Sequence, residues 1–104
     1  MSDLFDVSGK VVLITGGAQG MGRMIAEGFL RAGAKVYFTS RKAEICEQAE
    51  KEMSALGTAV GIAANLNTPE AAVALVDKIK AQESQLDVLI NNCLLYTSDA
   101  ADES

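Results

Sequence analysis

The stretch "TGGAQGMG", residues 15–22, sets three glycines at the spacing Gly16-x-x-x-Gly20-x-Gly22. Glycines so spaced bring backbone N–H groups up to an anion. Gly16 permits a sharp turn, Gly20 lets a phosphate approach the main chain, and Gly22 lets a following helix pack close to a sheet. Free N–H groups and the helix dipole then favour negative charge. An ordinary turn that needs glycine carries the same letters, so what matters is what flanks the loop. No Gly-Lys-Ser/Thr follows, which sets aside a nucleoside-triphosphate P-loop.

Two polar clusters could complete such a site. In "TSRK", Ser40, Arg41 and Lys42 stand where an acidic residue would hold the ribose hydroxyls of NAD. An arginine there can fork onto a 2′-phosphate and stack on adenine, which points to NADP(H) ahead of NAD(H). The alternative is a solvated charged turn. In "ANLN", the Asn65 amide can meet an adenine edge and Leu66 can wall the ring. A polar strand end leading to a helix cap at Thr68 reads equally well.

The elements that must position these residues follow from periodicity. "KVVLIT", residues 10–15, is a short, β-branched apolar run ending at glycine, as expected of a strand buried on both faces. From about Gly20, Met21, Ile25, Phe29 and Ala32 recur at helical spacing, and Gly33 is a natural stop. The unit repeats as a strand over 35–40, a helix over 43–56 striped by Ile45, Ala49, Met53 and Leu56, and a strand over 59–65. Thr68 then reads as an N-cap and Pro69 as the first position of a helix to about Glu83, striped by Val73, Val76 and Ile79. A fourth strand spans 86–91. Alternation of this kind predicts an α/β fold, a Rossmann-like doubly wound parallel sheet, of which this is the N-terminal half with strand order 3-2-1-4.

Composition narrows the function. The chain has 104 residues, 49% apolar and 22% charged, enough for one small domain with a packed core. No apolar run approaches a bilayer span, and the start lacks a signal peptide's pattern, so a cytoplasmic protein is expected. Net charge is −5, but Asp99, Asp102 and Glu103 supply three of those charges, which leaves −2 on residues 1–92. That body offers no footprint for nucleic acid or for a membrane surface. The two cysteines, Cys46 and Cys93, lack metal-ligand spacing, and the absence of histidine excludes a His-dependent triad. No metal is expected.

Together these stretches resemble the short-chain dehydrogenase/reductase family. "TGGAQGMG" matches its Thr-Gly-x-x-x-Gly-x-Gly loop, and "INN", residues 90–92, matches the start of its Asn-Asn-Ala-Gly motif. "LFDVSGKVVLITGG" and "GAKVYFTSRKAEIC" look most like the NADPH-dependent β-ketoacyl reductase branch, including reductases linked to rhamnolipid synthesis. The resemblance implies that Thr15 braces the loop, while Gly16, Gln19, Gly20, Met21 and Gly22 line the pyrophosphate and ribose. It implies that Ser40 and Arg41 meet the 2′-phosphate, Asn65 and Leu66 meet adenine, and Asn91 sits beneath the cofactor. Three departures stand out. Gln19 occupies a position that is often basic in NADP-dependent members, Asn65 replaces an Asp, and Cys93-Leu94 replaces Ala-Gly.

From Cys93 the pattern stops. "CLLYTSDAADE" resembles the translation of a transposase mosaic-end sequencing adapter, so residues 1–92 are expected to be a truncated NAD(P)-binding domain and residues 93–104 a non-native tail. The family uses a Tyr-x-x-x-Lys pair for proton transfer and a serine to hold the carbonyl. Here Tyr37 is followed four residues on by Arg41, Tyr96 by Ala100, and Lys80 is the last lysine, so no catalytic residue is assigned. The expectation is a parent NADP(H)-dependent oxidoreductase acting on a small carbonyl or alcohol substrate, and a chain that keeps the cofactor residues without turnover. The resemblance implies a dimeric or tetrameric parent, an assembly this chain is not expected to form. A non-catalytic dinucleotide sensor is the alternative. A methyltransferase is disfavoured by Ser40-Arg41, where it wants an acid.

Overall fold

The glycine that ends the first apolar run also ends the first strand, β1 (Val11–Thr15), and every residue of that strand is buried. In the computed structural model, which describes residues 7–66 and 68–91, it is followed by α1 (Gly20–Arg31), β2 (Lys35–Ser40), α2 (Ala43–Met53), β3 (Ala59–Ala63), α3 (Pro69–Glu83) and β4 (Val88–Asn91). Asn92 and the segment 93–104, expected to be non-native, lie outside the described residues.

The four strands form one sheet in the order β3-β2-β1-β4, with every neighbouring pair parallel. This is the expected Rossmann-like order. Register aligns Leu13 with Tyr37 on one side and Leu89 on the other. Successive side chains of β1 and β2 therefore supply two separate cores. Val12, Ile14, Val36 and Phe38 pack under α1 and α2 with Ala26, Leu30, Cys46, Ala49 and Met53. Val11, Leu13 and Tyr37 pack on the opposite face with Leu75 and Ile79 of α3. Cover on both faces is why the strands read as continuous apolar runs. No helix among the described residues is long and apolar enough to cross a membrane.

The helix faces differ from the expected stripes. On α1 the buried residues are Gly22, Ala26 and Leu30, whereas Met21 is 67% exposed and Ile25 and Phe29 are half-buried. Small residues face the sheet because α1 lies close over it, and the bulkier chains flank the contact. On α3 the buried pair is Leu75 and Ile79, and Val73 is 58% exposed. That helix is apolar on several sides, so its hydrophobic period fixes no single face. On α2, Cys46 joins Ala49 and Met53 in the core, and the helix stops at Met53 instead of Leu56.

Strand ends also shift. β4 begins at Val88, two residues later than its apolar letters suggest, because Asp87 is occupied as a clasp. Its carboxylate accepts the Val11 N–H at 2.8 Å, and its own N–H donates to the Val11 carbonyl at 2.9 Å. At the outer edge of β3, Glu50 of α2 accepts the Gly61 N–H at 2.8 Å. A Cβ on Gly61 would stand 2.7 Å from the Cys46 sulfur, so α2 sits too close to β3 for any side chain there.

Candidate functional site

The carboxyl ends of the strands lie along one edge of the sheet. β1 has β2 on one side and β4 on the other, so the chain changes direction about β1, and a crevice opens at such a switch point. Thr15 closes β1, is buried, and is in register with Asn91 at the end of β4. Ser40 closes β2 in register with Ala63 of β3, and Asn65 and Leu66 follow directly. Thr15, Gly16, Ser40, Arg41, Asn65, Leu66 and Asn91 are thus on one edge.

The glycine loop is held from below. Gly16 turns with φ of +72°, and its N–H donates to the buried Thr39 hydroxyl at 3.0 Å. Gly17 lies so close to the sheet that a Cβ would stand 2.7 Å from Phe38 Cβ. Gly20 opens α1 with φ of +61°, yet a Cβ there would meet no protein atom within 4 Å. Its glycine is required by backbone conformation, and the space in front of it is open to a ligand.

The start of α1 differs from that of the other two helices. Gln19 is its N-cap, extended and exposed, with no side-chain cap hydrogen bond and no acidic residue in the first turn. The first N–H groups of a helix have no intrahelical partner, so those of Gly20, Met21 and Gly22 are left to a ligand or to water. By contrast, α3 is capped by the Thr68 hydroxyl, which accepts the Ala71 N–H at 3.2 Å, and carries Glu70 in its first turn. α2 carries Glu44. An anion is best received at α1.

At the end of β2 the half-buried Ser40 accepts the Lys42 N–H at 3.3 Å, which shapes the turn that presents Arg41. Arg41 is exposed, and its side chain has no partner among the described residues. Asn65 is exposed. Leu66 is half-buried and packs against the α3-side core, so part of its apolar surface is already used in the fold. Beside the loop, a groove of about 290 Å³ runs between α1 and α2, bounded by Gln19, Arg23, Glu44 and Gln48. Arg23 bridges the helices there, donating from Nε to Glu27 at 2.9 Å and meeting Glu52 through Nη1 at 2.7 Å. Hydrogen bonds from Gln48 and Arg23 hold the Glu52 carboxyl below its ordinary pKa.

Tyr37 is away from this edge. It faces α3, donates to Glu83 and Gln82, and lies beneath Lys35, whose ammonium is 5.5 Å from the ring centroid. Burial, with Glu83 beside it, raises its pKa, the opposite of what a proton-transferring tyrosine needs. Among the described residues no group of three His, Cys, Asp or Glu is placed to hold a metal ion.

Comparison with known proteins gives a consistent picture. The sequence profile of the short chain dehydrogenases matches residues 10–103. The chain is 38% identical over 92 residues to the rhamnolipids biosynthesis 3-oxoacyl-[acyl-carrier-protein] reductase of Pseudomonas aeruginosa, covering 88% of this chain and 36% of that one. It is 44% identical over 92 residues to the short chain dehydrogenase/reductase dpmpG of Macrophomina phaseolina, covering 86% of this chain and 53% of that one. The chain therefore spans between about a third and a half of the length of these relatives. Among solved structures, the NADP complex of Pseudomonas aeruginosa RhlG superposes with a TM-score of 0.79 at 38% identity, covering 88% of this chain and 37% of that one. A metagenomic short-chain oxidoreductase in complex with NADP superposes with a TM-score of 0.75 at 33% identity, covering 81% and 38%.

Proposed function

Because the chain belongs to the short-chain dehydrogenase family, we propose that its carboxyl edge holds NADP(H) and that the parent protein is an oxidoreductase interconverting a carbonyl and a secondary alcohol. The observation that carries this reading is the open start of α1, without a side-chain cap, together with an exposed Arg41 that has no side-chain partner among the described residues. The N–H groups of Gly20, Met21 and Gly22 receive the pyrophosphate, and Thr15, Gly16 and Gln19 shape the loop around it. Ser40 holds the turn that aims Arg41 at the 2′-phosphate, while Asn65 and Leu66 border adenine and Asn91 lies below the cofactor at the end of β4. The bound cofactor supplies or accepts hydride. The residues of this chain bind and orient it.

The P. aeruginosa relative is named a 3-oxoacyl-[acyl-carrier-protein] reductase, and a 3-oxoacyl group is the substrate class we favour for the parent. The sequence contains no Tyr-x-x-x-Lys. We accordingly assign residues 1–92 to cofactor binding and expect no reductase turnover from the 104-residue chain. A non-catalytic dinucleotide module is the second reading, favoured by that same missing pair. The parent gene separates the two, since an enzyme requires the pair downstream. The cofactor assignment is tested by titrating NADPH and NADH into the chain. NADPH should bind more tightly, and Arg41→Asp should abolish or reverse the preference. Equal affinities that the substitution leaves unchanged would sink it.

A further inference from the structure

We propose that Arg23 is a second cation for the 2′-phosphate, held by carboxylates in the free protein and exchanging the Glu52 contact of its Nη1 for the phosphate when NADP(H) binds. The proposal rests on the reading of the carboxyl edge as an NADP(H) site.

Three observations carry it. First, the groove joins both phosphate-facing segments. Ala18 and Gln19 of the glycine loop and Arg23 form one wall, and Glu44, Ile45, Gln48 and Ala49 of α2 form the other. Glu44 stands three residues beyond Arg41, so the groove opens beside the turn that presents it. Second, Gln19 and Arg23 are one turn apart on the same face of α1, with the Arg23 N–H bonded to the Gln19 carbonyl at 3.3 Å. The uncharged Gln19 leaves the loop itself without a cation, and Arg23 is the next side chain along that face. Third, the two carboxylates on Arg23 use different atoms. Nε is bonded to Glu27 at 2.9 Å, and Nη1 meets Glu52 at 2.7 Å. A guanidinium carries five donors in a rigid fork, so Nη1 can change partner while Nε stays anchored on α1. Glu52 is 45% exposed, and an ion pair so open to water is readily exchanged. Glu44 lines the same groove and repels a phosphate there, which makes a cation drawn from Arg23 the more valuable.

The consequence is a competition. Glu52 and the 2′-phosphate seek the same nitrogen, and a cofactor without that phosphate takes no part. NADPH and NADH are titrated calorimetrically into the 104-residue chain and into its Arg23→Gln, Arg23→Lys and Glu52→Gln variants, each first checked for a cooperative melt. Arg23→Gln should weaken NADPH about tenfold, the loss of one charge-assisted phosphate contact, and leave NADH unchanged. Arg23→Lys should recover part of that loss. Glu52→Gln should tighten NADPH about two- to fivefold and again leave NADH alone, a gain that misfolding cannot produce. The proposal falls if Arg23→Gln affects both cofactors equally or neither, or if Glu52→Gln weakens NADPH. If NADPH binding responds to Arg41→Asp but ignores Arg23, only this proposal is struck. If neither cofactor binds the unsubstituted chain, the dinucleotide reading falls and this one with it.

Discussion

Thr39 reaches from β2 under the glycine loop, and its buried hydroxyl accepts the Gly16 N–H at 3.0 Å. Valine has the same shape without the acceptor. Thr39→Val should therefore cost about 1–3 kcal/mol, the penalty for leaving that part-buried N–H unpaired, and should weaken the proposed NADP(H) binding as the loop relaxes. Urea denaturation of Thr39→Val beside Thr39→Ser checks this, since serine keeps the hydroxyl. Equal losses in the two variants would show that the methyl group matters and the hydrogen bond does not. The three spaced glycines were legible in the sequence because their spacing is itself the signal. Thr39 was not, because threonine inside an apolar run looks like one more strand former. Gly17 was not, because its need comes from Phe38, twenty-one residues away in the chain.

At the scale of elements, α3 is fastened to the sheet at its last turn. Glu83 accepts from Tyr37 and pairs with Lys35, and these partners, Lys35 first, hold its carboxyl below the ordinary range. Asp87, just beyond, is likewise depressed, chiefly by the Val11 N–H. A carboxylate whose folded pKa lies below its unfolded value of about 4 contributes its stability above that value. The contribution is lost as pH falls through the folded pKa. Denaturation midpoints should then fall on acidification from about pH 5 toward pH 3, and less steeply in Glu83→Gln, which has no carboxyl to protonate at that position. An identical slope in the variant would refute the role of Glu83. Helix existence was legible here, down to the Thr68 cap and Pro69. Helix facing was less so. The stripe Val73, Val76, Ile79 missed Leu75, and on α1 glycine and alanine lie against the sheet where bulk was expected. Apolar letters report what can be buried, and close approach between elements decides what is.

The strand order was legible at the scale of the whole molecule, since right-handed crossovers leave few ways to lay four parallel strands. Among the described residues the sheet has two outer edges, and they are not alike. β4 reads Val-Leu-Ile-Asn, without charge, and Leu89 is 51% exposed. An uncharged apolar edge invites pairing with another chain. The purified chain should associate with rising concentration, and Leu89→Lys should suppress this without changing its circular dichroism. Light scattering across a dilution series reads both, and a monomer at all concentrations would count against it. At β3, the Glu50 carboxylate already holds the outward N–H of Gly61. A particle with two sticky ends polymerises, while a particle with one can only find a mate. Self-association of this sheet should therefore stop at a pair, and Glu50→Ala should turn that terminating reaction into an open-ended one, visible as sedimenting species that keep growing with time.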